Sequence, residues 1–193
     1  MSENLVPNTL TPATRADVYS AMRLAAPELS RASALLLVSQ WCFETGGGTY
    51  MHCHNVANIK HVPGDGHDYC QFRCNEIIGG KEVWFDPPNP ATSFRAYGSL
   101  TDGVADYVAL LKRRFAGAWA AVQSGDVGAF AKALKAERYY TADEAVYERG
   151  LRAIVAELDR EVPQDSDGIT PALLASEAAA AINPHDDEPP EAA

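Results

Sequence analysis

The chain has no apolar run near the ~20 residues that a membrane-spanning helix requires; Ala34 to Val38 is typical of its longest stretches. Its first 22 residues lack the basic segment, the apolar core and the small-residue cleavage site of a secretory signal, so synthesis in the cytoplasm is expected. Basic residues are in deficit, 16 Lys and Arg against 26 Asp and Glu, for a net charge of −10. That deficit argues against non-specific nucleic-acid binding, which draws its affinity from basic patches, and against docking on anionic lipid. After Pro163 there is no Lys or Arg at all, while seven acids fall in that stretch. Residues 163–193 therefore read as a flexible acidic tail, and the preceding part is only mildly acidic.

What remains is one domain of ordinary size. The 193 residues are 47% apolar, enough for a hydrophobic core without disulfide help, and a charged fraction of 22% excludes wholesale disorder. Residues 1–13, with Pro7 and Pro12, read as an extended arm, and residues 14–162 as the folded domain. A first helix is expected from Thr14 to Ala26, before Pro27. Ser30 is the expected cap of a second, whose apolar positions Leu35, Leu36, Val38, Trp41 and Cys42 run nearly all round, so it should be deeply buried. Gly46, Gly47 and Gly48 should end it.

Between Thr49 and Ser99 the helical period vanishes. Cys70 to Cys74 and Glu82 to Phe85, on either side of Gly79-Gly80, predict a β-hairpin. The period resumes at Thr101, an expected cap, and continues through Val104, Tyr107, Val108, Leu111, Phe115, Ala118, Trp119 and Val122. A turn at Ser124 to Asp126 and a short helix around Phe130 and Leu134 follow. Ala142 to Val162 predicts a last long helix with Val146, Leu151, Ile154, Val155 and Leu158 inward. The expectation is an α+β, mostly α fold with one polar, hairpin-bearing insert.

Glu44 sits at the C-terminal end of the most apolar helix. Burial and the negative end of the helix dipole both disfavour its anion, and a carboxyl group still protonated near neutral pH is suited to general-acid chemistry. The same pattern also fits an ordinary exposed helix-end glutamate. Glu76 lies on the predicted hairpin, and two carboxylates across a cleft are the usual apparatus of glycoside hydrolysis. Trp84, Phe94, Tyr97, Tyr139, Tyr140 and Tyr147 cluster in or beside loops, where rings can stack on sugar faces; Phe94 reads as core.

These residues fall in an order that resembles the bacterial glucosaminidase family, the family-73 glycoside hydrolases. Ala34 to Gly46 is similar to its catalytic helix, an apolar run into Glu-Ser/Thr-Gly. Asn55-Val56-Ala57-Asn58-Ile59-Lys60 is similar to its Asn-Leu-Phe-Gly-Ile-Lys segment, with Asn58 in place of glycine. Glu76 to Gly80 fits its hairpin Glu-x-x-x-Gly. Phe94-Arg95-Ala96-Tyr97-Gly98-Ser99, followed by Asp106-Tyr107, is similar to Phe-Arg-x-Tyr-x-Ser and an Asp-Tyr helix. Tyr140 to Asp143 with Tyr147 is similar to a Tyr-Ala-Thr-Asp and Tyr segment, with a slip of one residue. The resemblance spans residues 30 to about 155.

The resemblance implies a lysozyme-like fold, with a helical lobe and a small β-hairpin lobe, and cleavage of the peptidoglycan glycan strand of the endo-β-N-acetylglucosaminidase type. A muramidase specificity, or a binding module that has lost catalysis, are the alternatives. It implies Glu44 as general acid, Glu76 as the second carboxylate, and Tyr140, or Tyr139 given the slip, as a stabiliser of the reacting sugar. Asn55, Asn58, Tyr97, Tyr139 and Trp84 are the candidate substrate contacts. Carboxyls ~6.5–9.5 Å apart would favour inversion and ~5 Å retention, and an N-acetyl group also permits substrate assistance. No cofactor is implied, a monomer is expected, and action in the cell envelope would follow phage- or secretion-system-mediated delivery, with a delivery or immunity partner unidentified.

Four cysteines, Cys42, Cys53, Cys70 and Cys74, and four histidines, His52, His54, His61 and His67, crowd one region. Three states are open, in this order of expectation: at least one disulfide, free thiols, or a structural metal site on Cys53, Cys70, Cys74 and a histidine such as His67. A Cys53/His nucleophilic pair lacks an evident orienting Asn or Asp.

Overall fold

The computed structural model describes residues 3–162, and for Glu76, Ile77 and Ile78 it describes the backbone only. The tail expected over residues 163–193 lies outside the described residues. Helix α1 (Arg15–Ala25) begins with a reciprocal cap: the Thr14 side chain accepts from the Asp17 amide and the Asp17 carboxylate accepts from the Thr14 amide. Helix α2 (Arg31–Thr45) starts at Ser30, whose side chain accepts from the Ser33 amide, and ends at Gly46, held at φ 58, where glycine carries no Cβ penalty.

Because α2 is apolar all round, it must be enclosed. Leu36, Leu37 and Val38 are fully buried and Leu35 and Trp41 nearly so. The enclosure comes from α1, from α4 (Ala116–Ser124) and above all from α6 (Glu144–Glu161). Each leucine so buried contributes roughly 1.5–3 kcal/mol over exposure. Helix α3 (Leu100–Arg114) packs on α1, and α5 (Val127–Ala136) joins α4 to α6. Among the described residues no helix is long and apolar enough to cross a membrane.

The β lobe holds two small antiparallel sheets. Strand β1 (Tyr69–Gln71) pairs with β4 (Ser93–Arg95), which follows a 3-10 turn at Pro90–Thr92; β2 (Cys74–Ile78) pairs with β3 (Lys81–Phe85). The hairpin turns at Gly79 and Gly80, both at positive φ as a two-residue turn of this kind demands. A helical lobe beside a small β lobe is the lysozyme-like division expected from the sequence. The described part of the arm is extended: the Val6 amide donates to the Tyr69 carbonyl at 2.8 Å and the Thr11 amide to the Met51 carbonyl at 2.9 Å.

Several local expectations change. Cys70 and Gln71 do not belong to the hairpin, which starts at Cys74. The strand is broken because the Phe72 ring turns aside to stack between His52 at 4.0 Å and Phe94 at 4.4 Å. Helix α3 is capped by the Ser99 side chain, which accepts from the Asp102 amide, rather than by Thr101. The helix expected through Val122 is two helices, broken at Phe115, whose φ −122 and ψ 56 are not helical and whose ring is buried edge-on to Tyr139. Val146 is 51% exposed rather than inward; in the first turns of α6 it is Tyr147, at 2%, that turns into the core.

All four cysteines are free thiols, so the disulfide expected first is not formed. The Cys53 thiol instead donates to the Pro7 carbonyl at 3.8 Å, and burial pushes the Cys70 thiol well above its usual range. The alternative metal set is not assembled either: among the described residues no three His, Cys, Asp or Glu are placed to hold a metal ion. His67 is turned toward Asp106 at 3.8 Å and toward the Tyr97 ring.

Helix α3 meets the 51–58 loop at Gly103, where an added Cβ would lie 2.0 Å from the His54 carbonyl oxygen. Backbone cannot yield cheaply there, so Gly103→Ala is expected to destabilise the protein by about 2–4 kcal/mol in urea unfolding.

Candidate active site

Glu44 comes to the surface where α2 emerges from the core. The Thr45 hydroxyl donates to the Trp41 carbonyl at 2.6 Å and accepts from the Gly48 amide at 2.9 Å, closing the helix end. The Asn58 side-chain Nδ2 donates to the Glu44 backbone carbonyl at 3.0 Å and ties the 55–60 segment to that end. Asn58 itself stands at φ 49. A left-handed backbone there explains why asparagine, the side chain that best tolerates it after glycine, takes the family's glycine position.

The Glu44 side chain faces an open cavity of about 570 Å³, lined also by Asn58, Phe72, Arg114, Arg138 and Tyr139. Burial raises its carboxyl from the ordinary 4.5 to about 7, against the opposing effect of a hydrogen bond from Tyr147. The Tyr147 hydroxyl donates to Glu44 Oε1 at 3.3 Å and accepts from Gln40 Nε2 at 3.2 Å. Gln40 Oε1 in turn accepts from the Tyr107 hydroxyl. Both ends of the buried amide are therefore used, which fixes its orientation. Burial holds Tyr107 and Tyr147 far above the ordinary phenol range, so both remain donors. The result is a carboxyl group raised to about 7, held by Tyr147 with Gln40 and Tyr107 behind it, and facing an open cavity, which is the arrangement a general acid requires.

Tyr139 lines this cavity and its hydroxyl donates to the Ala57 carbonyl at 3.3 Å. Tyr140 lies behind it, stacked 3.9 Å from Tyr147, with its hydroxyl donating to the Ala131 carbonyl at 3.0 Å. Glu76 pairs through its backbone with Val83 on the hairpin; its side chain lies outside what is described. Trp84, 49% exposed on β3, lies under the Arg73 guanidinium, 4.2 Å from the ring centroid. Asn55 is buried and bonds the Ile59 amide and the Ile59 and Arg95 carbonyls, shaping the loop from inside. Tyr97 donates to Asp106 at 2.6 Å and faces a different cavity, lined by Cys53 and His54.

Sequence reasoning missed Gln40 and Tyr107 as parts of the site. The signal was present: Gln40 is the one long polar side chain in the apolar stretch of α2, and a buried amide must find partners. Arg114 and Arg138 were missed because neither lies in a motif.

Glu44 also sets a pH-dependent stability. Its folded-state value near 7 lies above the ordinary 4.5, so the unfolded chain ionises first as pH rises. The native state then loses stability between about pH 4.5 and 7. Glu44→Gln is therefore expected to be more stable than the parent by roughly 1–3 kcal/mol at pH 8 and equal to it below about pH 4.5, as read by urea unfolding. Tyr147→Phe removes the bond that favours the anion, so the Glu44 midpoint should move upward in a carboxyl titration.

Known proteins share this fold. The fold is similar to a peptidoglycan hydrolase mutant from Sphingomonas sp. A1, at TM-score 0.57 and 23% identity over 85% of this chain and 99% of that one. It is similar to the glycoside hydrolase domain of Salmonella typhimurium FlgJ, at TM-score 0.54 and 22% identity over 86% and 92%. The catalytic domain of the Listeria monocytogenes autolysin Auto gives TM-score 0.52 and 17% identity over 78% and 88%. A search of curated protein sequences returned no match. The glucosaminidase family profile, described as mannosyl-glycoprotein endo-beta-N-acetylglucosaminidase, matches residues 22–160, and the chain belongs to that family.

Proposed function

We propose that this protein is a peptidoglycan hydrolase that cuts the glycan strand at N-acetylglucosamine, with Glu44 as the general acid. The observation that carries the reading is the Glu44 carboxyl, raised to about 7 by burial and facing an open cavity. Family membership and the peptidoglycan-hydrolase descriptions of proteins with this fold support the choice of substrate.

In this reading Glu44 donates its proton to the glycosidic oxygen as the bond to the anomeric carbon breaks, and the bonding electron pair leaves with that oxygen. The sugar left behind develops cationic character, which Glu76, carried on the hairpin, stabilises directly or relieves by activating water. Tyr147 holds the Glu44 carboxyl in place through the step. Tyr139 contributes an aromatic wall on the substrate side of the cavity. Water then adds its hydroxyl to the anomeric carbon, and its remaining proton returns the Glu44 carboxylate to the acid form.

A positioned general acid contributes roughly 10²–10⁴-fold. Glu44→Gln is therefore expected to release reducing ends from purified cell walls at least about 100-fold more slowly, with its fold intact by circular dichroism. Mass spectrometry of the released muropeptides should find N-acetylglucosamine at the new reducing end. Since the acid must be protonated, activity should fall as pH rises through about 7. Near parental activity in Glu44→Gln would overturn the reading.

A further inference from the structure

The cavity that holds Glu44 contains positive charge that the proton transfer does not use. Arg114, the last residue of α3, and Arg138, just after α5, both line it. Both are exposed, and among the described residues neither guanidinium has a carboxylate partner. Arg15, Arg31, Arg73, Arg95 and Arg152 are all paired with carboxylates. Arg114 has only the face of Phe115, 5.6 Å to the ring centroid.

Arg138 also stands at φ 60, a left-handed conformation that is inexpensive for glycine and strained for arginine. Its backbone makes the tight turn from α5 to Tyr139, with the Arg138 amide donating to the Lys135 carbonyl at 3.1 Å. That turn needs no guanidinium. The cavity's other cations are engaged: Arg95 is neutralised by Asp65 and Asp106, and Lys60 donates to the Ala91 carbonyl and lies over the Phe94 ring. Glu44 is the only acidic side chain lining the cavity among the described residues. Among the described residues, a chain of net charge −10 thus carries a locally cationic cleft.

We propose that Arg114 and Arg138 form a carboxylate-binding subsite in the Glu44 cleft, receiving the carboxylates on the lactyl-peptide arms of a glycan strand. The proposal rests on the reading of the substrate as peptidoglycan, and it makes the peptide-bearing strand, rather than an uncharged amino-sugar polymer, the preferred ligand. Guanidinium suits this task because it offers a planar fork to a carboxylate and keeps its charge at every physiological pH.

The test uses the full chain carrying Glu44→Gln, which binds without cutting. Its affinity is measured by co-sedimentation with insoluble peptidoglycan stripped of phosphate polymers. A second sample is the same peptidoglycan after its carboxylates have been converted to neutral amides with carbodiimide and ammonia. Amidation is expected to weaken binding about 5–10-fold. Adding Arg114→Gln and Arg138→Gly should cause a similar loss on the native material and leave little further response to amidation. Arg138→Gly relieves the strained backbone, so its melting temperature should not fall, and weaker binding cannot then be assigned to misfolding. Unchanged affinity of the arginine variant for native peptidoglycan, or an equal loss on native and amidated material, would overturn the proposal. If charge-dependent binding holds while the parent protein releases no reducing ends, the subsite stands and the proposed reaction fails.

Discussion

Everything at this site depends on where one helix ends. The apolar circumference of α2 forces its enclosure by α1, α4 and α6 from Ser33 to Cys42, and past its first turn the helix surfaces again only near its C-terminal end. Glu44 sits one residue before that end. Its carboxyl is thereby removed from most of the solvent while still facing an open cavity, and the cost of ionising it appears as a proton held to about pH 7. The same burial that contributes to the stability of the domain thus raises the carboxyl that the proposed reaction uses as its acid.

Keeping that acid in one geometry falls to residues far away in sequence. Tyr147 comes from α6, Gln40 from one turn deeper in α2 and Tyr107 from α3, so three helices meet in one chain of hydrogen bonds ending on Glu44. Across the cleft the loop walls are held by charge. Arg95, buried at the end of β4, bonds Asp65 at 2.9 Å and Asp106 at 2.6 Å, and joins the 61–67 loop to α3. Removing one partner would leave a buried charge unpaired, a costly state. The close approach of Gly103 to the His54 carbonyl locks the 51–58 loop against α3 as well.

The sequence made the helical lobe legible because its signals are local. The first helix begins at Thr14 as expected, Ser30 caps the helix it was expected to cap, and Gly46 ends α2 in the left-handed conformation. Glycines 79 and 80 turn the hairpin. Errors arose where distant packing overrides local pattern. The Phe72 ring leaves its strand to stack on His52 and Phe94, and Phe115 breaks a helix whose periodicity runs straight through it. The cysteines had no local signal to decide among bridge, thiol and metal.

The site was legible in part. Glu44 was visible as a carboxylate closing an apolar run. The Phe-Arg-x-Tyr and Asp-Tyr motifs were visible too, but their work is structural: Phe94 is core, Arg95 and Tyr97 converge on Asp106, and Tyr107 reaches Gln40. Tyr139 and Tyr140 are adjacent in sequence yet face different surroundings, one toward the cavity and one toward the Ala131 carbonyl, a distinction that spacing alone does not make. The central claim is that Glu44 keeps its proton at neutral pH, and the most direct measurement is a carbon-13 titration of the glutamate side-chain carboxyls. One resonance, missing in Glu44→Gln, should titrate near pH 7. If that resonance instead titrates between about pH 4 and 5 with the others, the account is wrong.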